Sequence, residues 1–269
     1  MSNSVAEKLL KAYGIVRPEN IDLEAIAWGL GAKVKYRPLK CCEARICGHG
    51  DKAIISIDNG KLPQRRRFSL GHEIGHWIYH RGQLLICRSE EIGGFAGFRR
   101  GPVSPEGVAD QFASDLILPS YILTPILKDY RTLNLKAVKE IATTFKASMT
   151  ATAIKLVQSN RFHAMLVCHG TLGREWFLRP PCVPDRWFPQ DDLDRESYAF
   201  EALFGSKVEQ SHPRKIGADA GFDRAEAKNY EIFEHTFPLP NDKILTLLTF
   251  TDENMMDERD TSRSFRRGR

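Results

Sequence analysis

Apolar side chains recur at helical spacing in SVAEKLLKAY (4–13) and IDLEAIAWGLG (21–31), so the chain is expected to open with two short helices, the second starting at Asp22 and stopping at Gly29 or Gly31. KVKYRPL (33–39) alternates, and KAIISID (52–58) is a β-branched run closed by Asn59-Gly60; both predict strands, with a third around 44–47. Helical spacing returns over 63–80, where Phe68, Ile74, Trp77 and Ile78 can pack. Gly93, Gly94, Gly97 and Gly101 then interrupt regular structure and predict a mobile flap over 88–103. SPEGVADQFASDLILP restores a helix, with Ser104 as N-cap, Pro105 in the first turn and a stop before Pro119.

Residues 119–131 read as a short helical connection, and 133–158 as two helices joined at Lys146-Ala147-Ser148, with Ser148 capping the second. From about 161 the texture changes. FHAMLVCHG and REWFLRP alternate around a turn at Gly170 to Gly173, DRESYAFEALFG is helical, and KILTLLTF (243–250) is a strand. The expected class is α+β, with a small sheet just before the histidine-bearing helix. The expected division is a first domain over 1–131, a helix-turn-helix-like pair over 132–160, an α+β domain over 161–250 and a disordered basic tail over 251–269.

A chain of 269 residues, 42% hydrophobic and 27% charged, is long enough to bury a sizeable core. It contains no run of about 18 apolar residues, which argues against a membrane span. Its first twenty residues are too often charged for a secretion signal, so a cytoplasmic location is expected. Six cysteines, at 41, 42, 47, 87, 168 and 182, show no disulfide framework and read as reduced thiols. Cys42, Cys47 and His49 suggest a second metal site, but a zinc knuckle needs two spaced ligand pairs. The net charge of +5 owes much to Arg259, Arg263, Arg266, Arg267 and Arg269 at the end, where a solvated tail is the expected reading and contact with nucleic acid or an acidic partner the other.

The chemistry concentrates in RFSLGHEIGHWIYH (67–80). Residues four apart share a helix face, so His72 and His76 can present two imidazoles to one metal ion. Glu73 lies about 100° further round, placed to take a proton from an attacking water rather than to bind the ion. A catalytic zinc needs a third protein ligand. Glu106, in the first turn of the next helix, is the candidate, and Asp110 one turn on can orient a ligand histidine through its free ring nitrogen. Val108, Phe112 and Leu116 would face the core. Position 82 is glycine, which excludes the metzincin pattern. His80 is too far along the axis from His72, and Glu90 and Glu91 fall in the flap. Tyr79, His80 and a flap arginine are candidate oxyanion donors. The strand over 53–57 is a candidate edge for an extended substrate, with an ordinary core strand as the plain alternative.

RRRFSLGHEIGHWIYH followed by EGVADQFASDLILP resembles the ImmA/IrrE family of bacterial metallopeptidases, in which an Arg-Phe-Thr-x-Ala-His-Glu-x-Gly-His helix precedes a Glu-x-x-Ala-Asn-x-Phe-Ala-x-x-Leu-Leu-Met-Pro helix. The likeness covers roughly residues 5 to 130. It implies a minimal zincin fold with His72, His76 and Glu106 as zinc ligands, Glu73 as catalytic base, and manganese as an alternative activating metal. Asp110 stands where the family commonly has Asn, which keeps an acceptor; Gly71 replaces Ala and Leu118 replaces Met. The resemblance further implies a helix-turn-helix repressor as protein substrate, whose limited cleavage releases mobile-element, stress or DNA-damage genes. The residues alone also allow a non-proteolytic regulator that binds DNA or a repressor around a structural metal site. DNA contact by 133–158 is the weaker expectation, since the second helix offers only Lys155. The last domain resembles regulatory domains of some relatives, a few of GAF type, and Cys168, His169 and His212 there suggest a metal or redox sensor without a diagnostic spacing.

Overall fold

The structure, a computed structural model, describes residues 4–82, 104–205 and 212–257. The flap over 88–103, with Glu90 and Glu91, and the tail from 258 onward lie outside the described residues. The chain forms two compact units, Met1–Asp129 with Glu140–Thr152, and Tyr130–Lys139 with Ala153–Arg269. Among the described residues no helix is long and apolar enough to cross a membrane.

The first unit opens with helices α1 (Val5–Ala12) and α2 (Leu23–Gly29), whose N-caps Ser4 and Asp22 accept hydrogen bonds from the first-turn amides. Strands β1 (Ala32–Arg37), β2 (Ala44–His49) and β3 (Lys52–Asp58) form a sheet in the order β1-β3-β2, with β1 parallel and β2 antiparallel to β3. Ala53, Ile55 and Ile57 of β3 are buried while Ile54 is 40% exposed, the period-two pattern of a strand packed on one face. This corrects the expectation that 53–57 offers a substrate edge: β3 is central and both its sides are hydrogen-bonded. Parallel pairing with β1 is a non-local event, and nothing in the strand's own alternation announces it.

Helices α3 (Pro63–Tyr79), α4 (Pro105–Ile117) and α5 (Ser120–Leu127) complete this unit's frame. Ser104 caps α4 by accepting from the Gly107 amide at 3.0 Å. Phe112 and Leu116 are buried as expected, whereas Val108 is only half-buried. Helices α6 (Leu135–Phe145) and α7 (Met149–Gln158) follow, with Lys146 left-handed between them (φ 53°) and Ser148 accepting from the Ala151 amide at 3.2 Å. Lys155, the one cation of α7, is buried, which withdraws it from phosphate contact.

The second unit is built on a five-stranded antiparallel sheet in the order β5-β4-β8-β7-β6, comprising β4 (Ala164–Gly170), β5 (Gly173–Leu178), β6 (Arg214–Gly217), β7 (Glu231–Leu239) and β8 (Lys243–Phe250). Helix α8 (Tyr198–Phe204) packs on β7 and β8. Met165, Val167, Trp187, Phe222, Ile232 and Phe250 belong to its core. Asn241 and Asp242, both at positive φ, turn β7 into β8. The tail expected from 251 begins too early: Glu253–Met256 forms a 3-10 turn that buries Met255, whose carbonyl accepts from Trp187 Nε1 at 2.6 Å. One apolar side chain with a core to enter outweighs the polar composition around it.

His235 of β7 is buried, and its Nδ1 accepts a hydrogen bond from the Leu135 amide at 3.2 Å. Burial, and then the field of His212, lower its pKa from 6.5 to about 4. The unfolded chain therefore takes up the proton first, so the stability His235 contributes is whole above pH 6.5 and is lost as pH falls from there towards 4. Urea unfolding at pH 7.5 and 4.5 should show a loss of about 1–2 kcal/mol attributable to this residue. His235→Gln should remove that part of the difference; an unchanged pH dependence in the variant would refute the assignment.

Candidate metal centre

Three arginines before the histidines fix the direction of α3. Arg65 Nε donates to Glu43 at 2.5 Å, Arg66 stacks over the Tyr36 ring, and Arg67 Nη2 donates to the Ile21 carbonyl at 2.9 Å. At the other end Trp77 Nε1 donates to the Leu30 carbonyl at 2.9 Å. A Cβ on Gly48 would lie 2.3 Å from the Trp77 ring, so β2 accepts this helix only because position 48 is glycine.

Helix α4 approaches the opposite side just as closely. A Cβ on Gly71 would be 3.2 Å from Ala113 Cβ, and one on Gly75 would be 3.1 Å from Ala109 Cα. This small-residue seam brings Glu106 and Asp110, which flank Ala109, against His72 and His76. Gly75→Ala should therefore push α4 outward, backbone against methyl, and carry Glu106 with it. The expected result is a fall in Zn²⁺ affinity of about 10–100-fold in a folded protein, read by competition with a chromogenic chelator. Unchanged affinity would show that the seam does not set the site.

The donor atoms converge. His72 Nε2 and His76 Nε2 are 2.9 Å apart, and Glu106 Oε2 lies 3.0 Å from the first and 3.3 Å from the second. His72, His76 and Glu106 form a group able to hold one metal ion. Two donors each about 2.0–2.1 Å from a tetrahedral ion stand roughly 3.3 Å apart, so the spacing and the nitrogen and oxygen donor set both fit zinc. Around them His72 Nδ1–H donates to Asp110 Oδ1 at 2.8 Å, and His76 Nδ1 is hydrogen-bonded to His80 Nδ1 at 3.0 Å. Glu73 is fully buried, and its charge acts on His72.

The electrostatics are those of a place made for positive charge. Burial alone would lower His72, but hydrogen bonds to Asp110 and Glu106 outweigh it and raise the pKa to about 9. Burial and then the neighbouring His72 charge lower His76 to about 4. Burial raises the Glu106 carboxyl, yet the His72 hydrogen bond and the fields of both histidines hold it below the usual range. Three carboxylates, Glu73, Glu106 and Asp110, surround two imidazoles, and a dication balances that excess better than a single imidazolium.

The candidate oxyanion donors part company here. His80 is hydrogen-bonded through Nδ1 to His76 Nδ1, one helical turn away, an arrangement that can orient the His76 ring. The i, i+4 spacing of the two residues carried that signal. Tyr79 is 43% exposed and packs edge-to-face on Phe112, with ring centroids 6.0 Å apart. Elsewhere, burial pushes the Cys168 thiol up to about 12, away from the low-pKa thiolate that redox chemistry uses. Among the described residues neither Cys42 and Cys47 nor Cys168, His169 and His212 form a metal-compatible group.

Residues 30–157 match the family model described as the IrrE N-terminal-like domain, Peptidase_M78. This stretch belongs to that family. The Peptidase_M78 domain thus holds all of α3 and α4 and every residue of the candidate metal centre. A solved structure of a Mycobacterium tuberculosis transcriptional regulator shares the fold with a TM-score of 0.56 at 14% identity, over 91% of this chain and 86% of that one. The shared fold extends beyond the Peptidase_M78 domain. No curated protein matches the chain.

Proposed function

We propose that the chain is a zinc-dependent, site-specific endopeptidase whose substrate is a helix-turn-helix transcriptional repressor, so that cleavage releases stress, DNA-damage or mobile-element genes. The observation that carries the enzymatic part is the convergence of His72, His76 and Glu106 beside the buried carboxylate of Glu73. His72, His76 and Glu106 would hold the ion, with manganese as an alternative to zinc. When bound, the metal supplies Lewis acidity at the scissile carbonyl and the attacking water. Glu73 takes a proton from that water and passes it to the leaving amine. Asp110 and His80 hold the two ring planes, His72 and His76, in position. The sheet leaves β2 as an outer strand paired, among the described residues, with β3 alone, and an extended substrate segment would add there by main-chain hydrogen bonds.

Incubating purified, zinc-loaded protein with the repressor encoded beside it, and reading fragment masses, should give a defined cut. An intact repressor together with tight DNA binding by 133–158 would favour a non-proteolytic regulator with a structural metal.

A further inference from the structure

The sheet of the second unit carries a buried polar row that peptide hydrolysis does not use. Val167 of β4 pairs with Thr246 of β8, Thr246 with Thr236 of β7, and Leu248 with Glu234, and paired residues share a face. Part of this face is ordinary core, from Met165, Val167, Ile232 and Leu248. Beside it Glu234, Thr246, Thr236 and His169 are 1%, 3%, 6% and 6% exposed. A strand face that only had to pack would carry β-branched hydrocarbon at these positions, because a buried polar atom without a partner costs stability.

Two of these atoms have no hydrogen-bond partner among the described residues, Thr246 Oγ1 and His169 Nδ1. His169 Nε2–H faces the Gln190 carbonyl at 3.4 Å, which leaves Nδ1 as a bare acceptor. Glu234 accepts from the Tyr198 and Ala199 amides at 2.9 and 3.0 Å, so its carboxylate is held in place. All three residues line one cavity of about 30 Å³, partly open to solvent. Asp192 and Ser197 add oxygen at its wall, Val167 and Leu248 an apolar floor, and no lysine or arginine is among its described lining residues. A space of this size admits a group of about two or three non-hydrogen atoms, with anything longer reaching out through its open side.

We propose that this cavity binds a small cationic amine, with an ammonium or amidinium group donating to His169 Nδ1, Thr246 Oγ1 and the Glu234 and Asp192 carboxylates, and a short alkyl portion against Val167 and Leu248. The acceptor-rich wall selects the charge, and the floor selects the compact apolar part.

Isothermal titration of the full chain, without added metal, tests this using methylamine and ethylamine as probes, and ethanol and acetate as neutral and anionic controls. Saturable binding is expected for the amines, at least about tenfold tighter than for either control. Thr246→Val should weaken amine binding about tenfold while raising the thermal midpoint, since it replaces an unpartnered hydroxyl by a methyl of equal shape. Asp192→Asn, at an exposed position that does not threaten folding, should weaken it through lost charge. Absence of saturable binding, equal binding of ethanol and acetate, or unchanged affinity in both variants would overturn the proposal and leave only ordered water there. None of these readouts depends on peptide hydrolysis.

Discussion

Replacement of Glu73 by glutamine should lower peptide-bond cleavage about 10²–10⁴-fold while leaving the metal content unchanged. Glutamine keeps the shape and one carbonyl oxygen but cannot accept the proton of the attacking water. Glu73 follows directly after His72 on α3, is fully buried, and is not one of the three converging donors. A carboxylate in such a place costs stability. Its amide should therefore fold at least as well as the native side chain, which separates lost chemistry from lost structure. Equal zinc content, an equal or higher thermal midpoint and abolished cleavage form the expected triple. Cleavage that persists in Glu73→Gln would assign the base elsewhere.

The second large effect concerns the metal itself. Glu106→Gln should reduce zinc affinity by at least about 100-fold, because a neutral amide replaces the sole anionic ligand and leaves two imidazoles alone with the ion. Asp110→Asn should cost only about 10-fold. Asparagine still accepts from His72 Nδ1–H at the 2.8 Å position but no longer lends a negative charge to the ring. The ordering is the informative result, and it is read by metal analysis after dialysis against a graded chelator. Full occupancy in Glu106→Gln, or a larger loss in Asp110→Asn, would reverse the assigned roles.

What could be read in advance follows from how local each feature is. The helices carrying His72, His76 and Glu106 are set by short-range periodicity, by Ser104 and Pro105 at one start and by Pro119 beyond one end, all visible in the chain. The meeting of the two helices was legible only through the types and spacing of the donors. The small-residue seam that creates the meeting is present as two four-residue spacings, Gly71 with Gly75 and Ala109 with Ala113, but such spacings do not say which helix meets which. Strand β3 forms where its β-branched run predicts, yet its central place depends on β1 pairing across twenty residues. Strands β6 and β7 were not anticipated. In β7, Glu234 and His235 are polar and buried, the first at the cavity and the second against the Leu135 amide, and Pro238 interrupts the pattern, so the alternation is hidden. His80 reads as a candidate oxyanion donor, and its hydrogen bond to His76 shows only once the two rings are placed.

One titration tests the peptidase account most directly. Protein stripped of metal by chelation, supplied with the cognate repressor and increasing Zn²⁺, should show cleavage that rises to a plateau at one equivalent per chain in the native protein and stays flat in Glu73→Gln. Cleavage that survives stripping, or that appears equally in both proteins, would contradict it.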